Sequence, residues 1–258
     1  MFSFGENWAS FSQGLSEARI QEAIQSLVIL FGESTLKGTS FLDIGCGSGL
    51  FSIAAARLGA RKILGVDVDP LSVETSRRNA ARWLKDNDIE ISFRQGSVLD
   101  ENDVTAWGTF DVVYSWGVLH HTGNMWKALE NASRTVQPNG WFVVALYNRH
   151  WSSPIWKWIK RLYNRLGKVG KRLMIGSFFP LIVVAKWLVT LRNPFKMRRG
   201  MDFLHNVIDW LGGYPYEYAS IEEVRNRLSQ LGFDVLAVYP ARVPTGCNEY
   251  VCRRRTET

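Results

Sequence analysis

Residues 41–49 read FLDIGCGSG, an apolar run that passes directly into alternating glycines. The apolar part is typical of a buried strand, and Gly45, Gly47 and Gly49 follow at its end. Glycines at such a turn let the backbone approach a ligand closely, and a helix that begins after them directs its free N–H groups at negative charge. The stretch therefore predicts a strand, a ligand-binding loop and a helix in succession.

The sequence around this stretch alternates in the same way. Turn residues such as Pro138-Asn139-Gly140 separate apolar runs from amphipathic segments. Repeated strand–helix units with apolar strands predict a mostly parallel sheet covered on both faces, which binds ligands at its carboxyl edge. Strands are predicted at 40–44, 62–68, 91–95, 111–115 and 141–147, and helices at about 50–58, 70–86 and 126–136.

Further elements flank this α/β core. A leading helix ends at Gly32, and a capping box of Ser220 and Glu223 begins a late helix. Strands at 233–239 and 248–253, joined by a hairpin-like loop, bring the sheet to about seven strands. The predicted organisation is an N-terminal helical lid at 1–37, a core at 38–147, an inserted helical cap at 148–219 and a C-terminal helix with the last two strands at 220–258.

An acidic residue follows the second predicted strand. Asp67, in GVDVDP, lies 22 residues past Gly45 and can accept the hydroxyl hydrogens of a ribose; Asp69 is the second candidate. A nicotinamide-binding loop would have the spacing GxGxxG, and Asp43 would repel a pyrophosphate. A Walker loop would need GK[ST], which does not follow. A glycine turn without a ligand would leave Asp67 unexplained.

The loop from Asp43 to Gly49, together with Asp67, resembles the class I S-adenosylmethionine-dependent methyltransferases over about residues 38–147. The resemblance implies a Rossmann-like fold, S-adenosylmethionine as cofactor and S-adenosylhomocysteine as product. It also implies that the glycine loop packs against the methionine part and that Asp67 binds the ribose. The family often places Asp after the Gly that ends the third strand; here Ser97 follows Gly96, so the adenine would be read by Ser97 and the backbone of Val98.

A second segment carries the same resemblance. SWGVLHHTG, residues 115–123, looks like the segment that lines the methionine pocket in small-molecule and quinone-type methyltransferases. Trp8 and Phe11 are candidates for a lid over the cofactor, with core packing as the alternative. The complete set of expected cofactor-binding residues is Asp43, Gly45, Gly47, Gly49, Asp67, Val68, Ser97, Val98, Ser115, Trp116 and Trp8.

Methyl transfer requires an aligned nucleophile and, for a hydroxyl or ammonium, a group that removes its proton. His120 and His121 follow the fourth strand, and imidazole titrates in the useful range. In a predicted helix, Asp202, His205 and Asp209 share one face. The two acids would support His205 as a base; the alternative is an ordinary amphipathic helix whose polar face is in water. The candidate bases are His120, His121, His205 and Asp209, and the candidate acceptor-binding residues are Asp202, Tyr214, Tyr216, Tyr218, Asn248 and Glu249.

The cysteines and the N-terminal segment bear on the compartment. The chain has three cysteines, with no CxxC pair and no Cys/His cluster, which argues against a disulfide framework and a metal site. The first thirty residues include Glu6 and Glu17 and lack the apolar run of a signal peptide. We expect a cytoplasmic protein without a metal.

The positive charge is concentrated in one segment. Residues 149–199 contain thirteen of the 31 Lys and Arg residues, and no Asp or Glu occurs between Glu130 and Asp202. A helix predicted to begin at Ser153-Pro154 places Ile155, Trp158, Ile159, Leu162, Tyr163 and Leu166 on one face and Lys157, Lys160, Arg161 and Arg165 on the other. This arrangement is typical of a helix at an anionic membrane surface.

The run 173–191 is long enough to suggest a membrane span, but Pro180 and Lys186 interrupt it, which disfavours insertion. A soluble cap with a basic rim is the third interpretation of the segment. Binding of RNA phosphates is less favoured, because no RNA-binding module is recognisable. We therefore expect O-methylation of a small molecule, a class that includes lipid-like and membrane-associated acceptors; the alternatives are an RNA methyltransferase and a non-catalytic cofactor-binding protein that docks to membranes.

Overall fold

The computed structural model describes residues 4–32, 34–84, 89–191, 193 and 203–256. These residues form a seven-stranded sheet in the order β3-β2-β1-β4-β5-β7-β6. Strands β1 to β5 pair in parallel, and β7 pairs antiparallel with both β5 and β6. The strands are β1 (Ser40–Ile44), β2 (Lys62–Asp67), β3 (Glu90–Gln95), β4 (Phe110–Trp116), β5 (Val136–Tyr147), β6 (Phe233–Tyr239) and β7 (Cys247–Arg254).

Helices cover both faces of this sheet, as the sequence predicts. Those of the core are α1 (Phe4–Gln13), α2 (Glu17–Phe31), α3 (Leu50–Arg57), α4 (Pro70–Trp83), α5 (Glu101–Trp107), α6 (Met125–Arg134) and α10 (Ile221–Gln230). Three more lie between β5 and α10: α7 (Ser153–Arg165), α8 (Lys168–Thr190) and α9 (Phe203–Gly212).

The two layers of the core follow from the alternation of side chains along each strand. In β1, Phe41 packs with residues of α2 and α3, whereas Leu42 and Ile44 pack with residues of α5, α6 and α10. Because both faces are buried, the strand is nearly apolar throughout. This sandwich fixes the carboxyl edge of the sheet, where the polar loops begin.

The structure differs from the predicted elements at two places in the core. Helix α5 was not predicted, although Asp100 caps its first turn and Glu101 and Asp103 place acids there. The predicted turn at 138–140 lies inside β5: Val136 pairs with Phe110, and pairing resumes between Trp141 and Val112. The intervening residues bulge from the strand. The capping box of α10 is present as predicted.

The inserted helices have a core of their own, in which Tyr163, Phe203, Val207 and Leu211 are buried against α8. The predicted cationic face of α7 is wrong at Lys160, which is completely buried. Within the described ranges, none of the helices combines the length and hydropathy needed to cross a bilayer, so the 173–191 run is not a candidate span.

Candidate active site

A cavity of about 1140 Å³ lies at the carboxyl ends of β1, β2, β3 and β4. Its volume exceeds the usual range for a single small ligand, so it has room for two. Loop residues that follow these strands line one part of it: Gly45, Asp67, Ser97 and Gly117 are examples. This is the edge at which open α/β sheets bind ligands.

The glycine loop is held too tightly for side chains. Gly45 has φ +76°, and a Cβ there would lie 2.3 Å from Cγ2 of Val118. Gly47 has φ +57°, and its Cβ would lie 2.9 Å from the ring of Trp8. Gly47 and Gly49 therefore shape the loop, while Gly45 borders the cavity. Trp8 also lines the cavity, as expected for a residue of α1 that covers the loop.

Two polar side chains of the loop are buried beside the cavity. Asp43 accepts a hydrogen bond from the Ser52 hydroxyl at 2.7 Å, which joins the end of β1 to α3. The hydroxyl of Ser48 is buried without a hydrogen-bond partner among the described residues, and Ser48 lines the cavity. A buried polar atom of this kind needs a partner. The loop thus fits a ligand that brings a polar group to Ser48.

Asp67 lies at the end of β2 with its carboxylate held by the backbone. Oδ2 accepts from the N–H of Gly47 at 3.0 Å and Oδ1 from the N–H of Asp69 at 2.9 Å. Burial raises the pKa of Asp67 to about 6, against the lowering effect of these hydrogen bonds. Asp69 instead caps α4 and accepts from the N–H of Gly5, so its carboxylate anchors α1. Asp67 is therefore the better placed of the two ribose candidates.

The loop after β3 is organised by a residue that sequence reasoning missed. Asp103 of α5 accepts a hydrogen bond from the N–H of Ser97 at 2.8 Å. The carbonyl of Val98 accepts from Asn131, and Ser97, Val98 and the exposed Val68 all line the cavity. The acid in the first turn of α5 was the available signal for Asp103.

The segment 115–123, whose first two residues lie in β4, was expected to line the methionine pocket, with Ser115 and Trp116 among the cofactor contacts. Trp116 lines the cavity. Ser115 does not line it; its buried hydroxyl donates to the carbonyl of Ile44 at 3.2 Å and ties β4 to β1. A side chain within a strand points into one of the layers beside the sheet, so the structure places Ser115 in the packing between β4 and β1 and not at the cavity, where it was predicted.

His120 and His121 both border the cavity but hold opposite tautomers. Nδ1 of His120 accepts from the N–H of Tyr147 at 3.2 Å, so its proton lies on Nε2. Nδ1 of His121 lies 2.6 Å from the carbonyl oxygen of Pro215, which can only accept, so Nδ1 carries the proton and Nε2 has a free lone pair. Burial lowers the pKa of His121 to about 3, with a further contribution from Lys160. Both histidines are neutral at pH 7, since burial also holds the pKa of His120 well below its usual value.

Lys160 supplies a buried positive charge near this pair. Its amine donates to the carbonyl oxygen of Trp210 and lies 4.8 Å from the ring centre of Tyr216 and 5.4 Å from those of Tyr147 and Trp210. Aromatic faces and a carbonyl stabilise an ammonium that is removed from water. Sequence reasoning missed this role, because one cationic residue among several on a helix carries no signal of burial.

The inserted helices line the rest of the cavity, and most of the side chains that they contribute are apolar. Two polar residues, Tyr214 and Lys186, border the same part of the cavity. Tyr216 and Tyr218 do not: Tyr216 is buried beside Tyr147, and Tyr218 lines a separate shallow pocket. Both were predicted to contact the acceptor, and the structure places neither beside the cavity. The apolar lining comprises Trp156, Phe178, Leu181, Ile182, Ala185, Phe203, Val207 and Trp210.

Other predicted acceptor contacts lie elsewhere. Asn248 is buried, accepts from the N–H of Ala241 and donates to Asn148, so it joins two loops; neither Asn248 nor Glu249 lines the cavity. The position of Asn248 and Glu249 near the start of the last strand therefore does not bring their side chains to the cavity. Asp202 lies outside the described residues, as do the side chains of His205 and Asp209, although α9 itself borders the cavity.

Curated relatives match parts of the chain. A ubiquinone biosynthesis O-methyltransferase of Azorhizobium caulinodans is 36% identical over 114 residues, which is 44% of this chain and 42% of the relative. A ribosomal protein L11 methyltransferase of Thermosipho africanus is 41% identical over 78 residues, 30% of this chain and 27% of the relative. The chain thus spans less than half the length of these relatives.

The fold extends over nearly the whole chain. A magnesium protoporphyrin IX methyltransferase from Synechocystis PCC 6803, solved with bound S-adenosylhomocysteine, covers 96% of this chain and 93% of its own with a TM-score of 0.60 at 16% identity. The family described as methyltransferase domain matches residues 35–172, more than half of the chain. The chain therefore belongs to this methyltransferase domain family and has the fold of the class I S-adenosylmethionine-dependent enzymes.

Proposed function

We propose that the protein is an S-adenosylmethionine-dependent methyltransferase that methylates an oxygen of a small, largely apolar acceptor. One observation carries the proposal: a single cavity joins the cofactor loops of the family to an apolar chamber of α7, α8 and α9, and His121 borders it. A pocket with a long apolar wall and few polar groups favours an acceptor of the same character.

The loops around β1 and β2 fit the cofactor. Ser48 has the buried hydroxyl that needs a polar partner, and Asp67 has the carboxylate that suits a ribose. Ser97 and Val68 border the space beside them, and Trp8 covers the glycine loop. When bound there, S-adenosylmethionine supplies a methyl group on a sulfonium and becomes S-adenosylhomocysteine.

The proposed base is Nε2 of His121. Its free lone pair accepts the proton that the acceptor hydroxyl loses as the new O–C bond forms. A low pKa makes this base weak, so it takes the proton late, when the methylated oxygen has become strongly acidic. Pro215 fixes the ring by accepting from Nδ1, and the same low pKa returns the proton readily to water afterwards.

The names of the relatives give partial support to oxygen as the methylated atom. One relative is an O-methyltransferase of ubiquinone biosynthesis, whereas another acts on a ribosomal protein. The apolar lining favours the small molecule over the protein. It also disfavours RNA, whose phosphates and ribose hydroxyls would need polar partners in the chamber.

The test uses S-adenosylmethionine labelled on the methyl group. The protein is incubated separately with an organic lipid extract, a water-soluble metabolite fraction, total RNA and total protein from cells. We expect label in a compound of the lipid extract, and loss of that label with Asp67→Asn. Label confined to RNA, to protein or to polar metabolites would overturn the proposed acceptor class. No label in any fraction, with S-adenosylhomocysteine bound, would overturn catalysis itself in favour of a cofactor-binding protein.

A further inference from the structure

We infer that the exposed faces of α7 and α8 form a docking surface for an anionic lipid bilayer. The surface is defined by the exposed apolar residues of the two helices and by Trp151, which lies just before α7. The residues of the helices are Ile155, Trp158, Leu162, Val169, Leu173, Leu181, Val184, Trp187 and Leu188. It goes beyond methyl transfer, because binding to lipid requires no turnover. Three observations carry it: exposed apolar side chains, positive charge without acidic residues on either helix, and the position of the cavity beside α8.

Helix α7 presents Trp158 and Ile155 to solvent. Trp158 is 64% exposed and Ile155 52%, while Tyr163 and Lys160 on the same helix are buried. Exposed tryptophans are costly in water and are enriched where membrane meets water, because the ring is apolar and its N–H is polar. The buried side of α7 already satisfies its packing against α9, so the exposed side is additional apolar surface.

Helix α8 repeats this pattern over a longer distance. Phe178 and Ile182 pack toward the core of the inserted helices, whereas Leu181, Val184 and Leu188 lie on the exposed side, each more than half exposed. The exposed residues recur at intervals of three and four, which makes one stripe along the helix. Large contiguous apolar surfaces mark an interaction site in water-soluble proteins.

The charges around these stripes select the partner. Lys157, Arg161, Arg165, Lys168 and Arg172 are exposed along α7 and the beginning of α8, and neither helix contains an acidic residue. Each basic residue near an anionic leaflet contributes roughly 1 kcal/mol to binding. A second copy of the chain would bring the same positive charge to the contact and repel it. An anionic bilayer complements both the charge and the apolar stripes.

The cavity borders the same surface. Leu181, on the exposed stripe of α8, is 64% exposed and also lines the cavity. An apolar acceptor dissolved in the bilayer would therefore reach the chamber without crossing water. This last step rests on the proposed function, whereas binding to lipid does not.

The test is flotation of the protein with vesicles in a density gradient at low and high salt. Vesicles of phosphatidylcholine alone are compared with vesicles that contain phosphatidylglycerol. We expect flotation with the anionic vesicles, weakened by salt, and a loss of about tenfold or more in partitioning with Trp158→Gln/Leu188→Gln. The matched control is Ile29→Gln/Leu236→Gln, which removes apolar residues of similar exposure, 61% and 56%, from α2 and β6.

A charge-reversed pair separates the electrostatic part. Lys157→Glu/Arg165→Glu should abolish the preference for anionic vesicles, and Lys62→Glu should preserve it. Circular dichroism confirms that each variant is folded. The inference is overturned if the wild-type protein does not float with anionic vesicles. It is also overturned if Trp158→Gln/Leu188→Gln floats as well as Ile29→Gln/Leu236→Gln and Lys157→Glu/Arg165→Glu floats as well as Lys62→Glu. A lipid-free dimer that Trp158→Gln/Leu188→Gln dissociates would also overturn it, since the surface would then bind a second copy.

Discussion

The Nδ1 atom of His121 and the carbonyl oxygen of Pro215 lie 2.6 Å apart, which joins the loop after β4 to the loop that follows α9. The contact spans 94 residues of sequence and leaves Nε2 as the only acceptor of the ring. Within a pair of adjacent histidines, the backbone thereby assigns opposite proton positions to His120 and His121.

Replacing His121 with Gln should lower kcat by about 10², the low end of the usual contribution of a general base, because the low pKa of His121 makes it a weak base. Binding of S-adenosylhomocysteine should stay within a few-fold, because the cofactor loops are not touched. His150→Gln is the matched control, since His150 also borders the cavity but bonds locally to Ser152. Equal kcat for both variants and the wild type would rule out His121 as the base.

Replacing Lys160 with Met should raise the pKa of His121 from about 3, because the ammonium disfavours a second positive charge nearby. The variant should also lose roughly 1–3 kcal/mol of stability, since the carbonyl of Trp210 loses a buried donor. NMR titration of the imidazole signals measures the pKa, and chemical denaturation measures stability. Lys157→Met on the exposed side of α7 should change neither quantity.

Stability should decrease in acid through the same histidine. The pKa of His121 is near 6.5 in the unfolded chain and about 3 in the folded protein. Below pH 6.5 the unfolded chain therefore binds a proton that the folded protein does not bind until the pH approaches 3. The contribution is therefore complete above pH 6.5 and is lost as the pH falls toward 3. Denaturant unfolding at intervals between pH 7 and 4 should show a shallower slope for His121→Gln; an identical slope would contradict the assigned burial.

Cofactor affinity should depend on pH through Asp67. In the free protein the pKa of Asp67 is about 6, and its ionised carboxylate is a better acceptor for ribose hydroxyls than the protonated form. Calorimetry with S-adenosylhomocysteine should give constant affinity above pH 7 and a decline below pH 6 that approaches tenfold per unit. Asp67→Asn should bind more weakly and without this decline. A wild-type affinity that is flat from pH 5 to 8 would refute the ribose assignment.

Gly45→Ala should destabilise the protein more than Gly38→Ala. Both glycines have positive φ, +76° and +77°, which an alanine adopts only with backbone strain of about 1 kcal/mol. A Cβ at Gly45 also meets the stiff side chain of Val118 at 2.3 Å, whereas nothing lies within 4 Å of one at Gly38. Equal unfolding free energies would show that Val118 moves aside without cost.

The core of the fold was predictable because its signals are local. The run 41–49, the capping box at Ser220 and the apolar strands each determine structure within a few residues. Helix α5 escaped prediction since it is a single short element with little apolar periodicity; only the acids after Asp100 indicated its start. The same reasoning placed Asp67 and the paired histidines at the edge of the sheet, where the cavity is found.

Residues of the inserted helices were harder to predict because their environment is set by distant chain segments. Lys160 has the same spacing as its exposed neighbours and is buried only because Tyr147, Trp210 and Tyr216 surround it. Asn248 looked like a polar strand end open to a ligand, but Asn148 and Ala241 use its amide. Partners this remote in sequence leave no local pattern.

The hydrogen bond from Gly5 to Asp69 has a consequence for the reaction cycle. It fixes the first turn of α1 beside the start of α4, and Trp8 of the same helix covers Gly47. Under the proposed function, we expect S-adenosylhomocysteine to leave past α1 and a methylated acceptor to leave past Leu181. Asp69, which holds the start of this ten-residue helix, would then influence the release of only one of the two products.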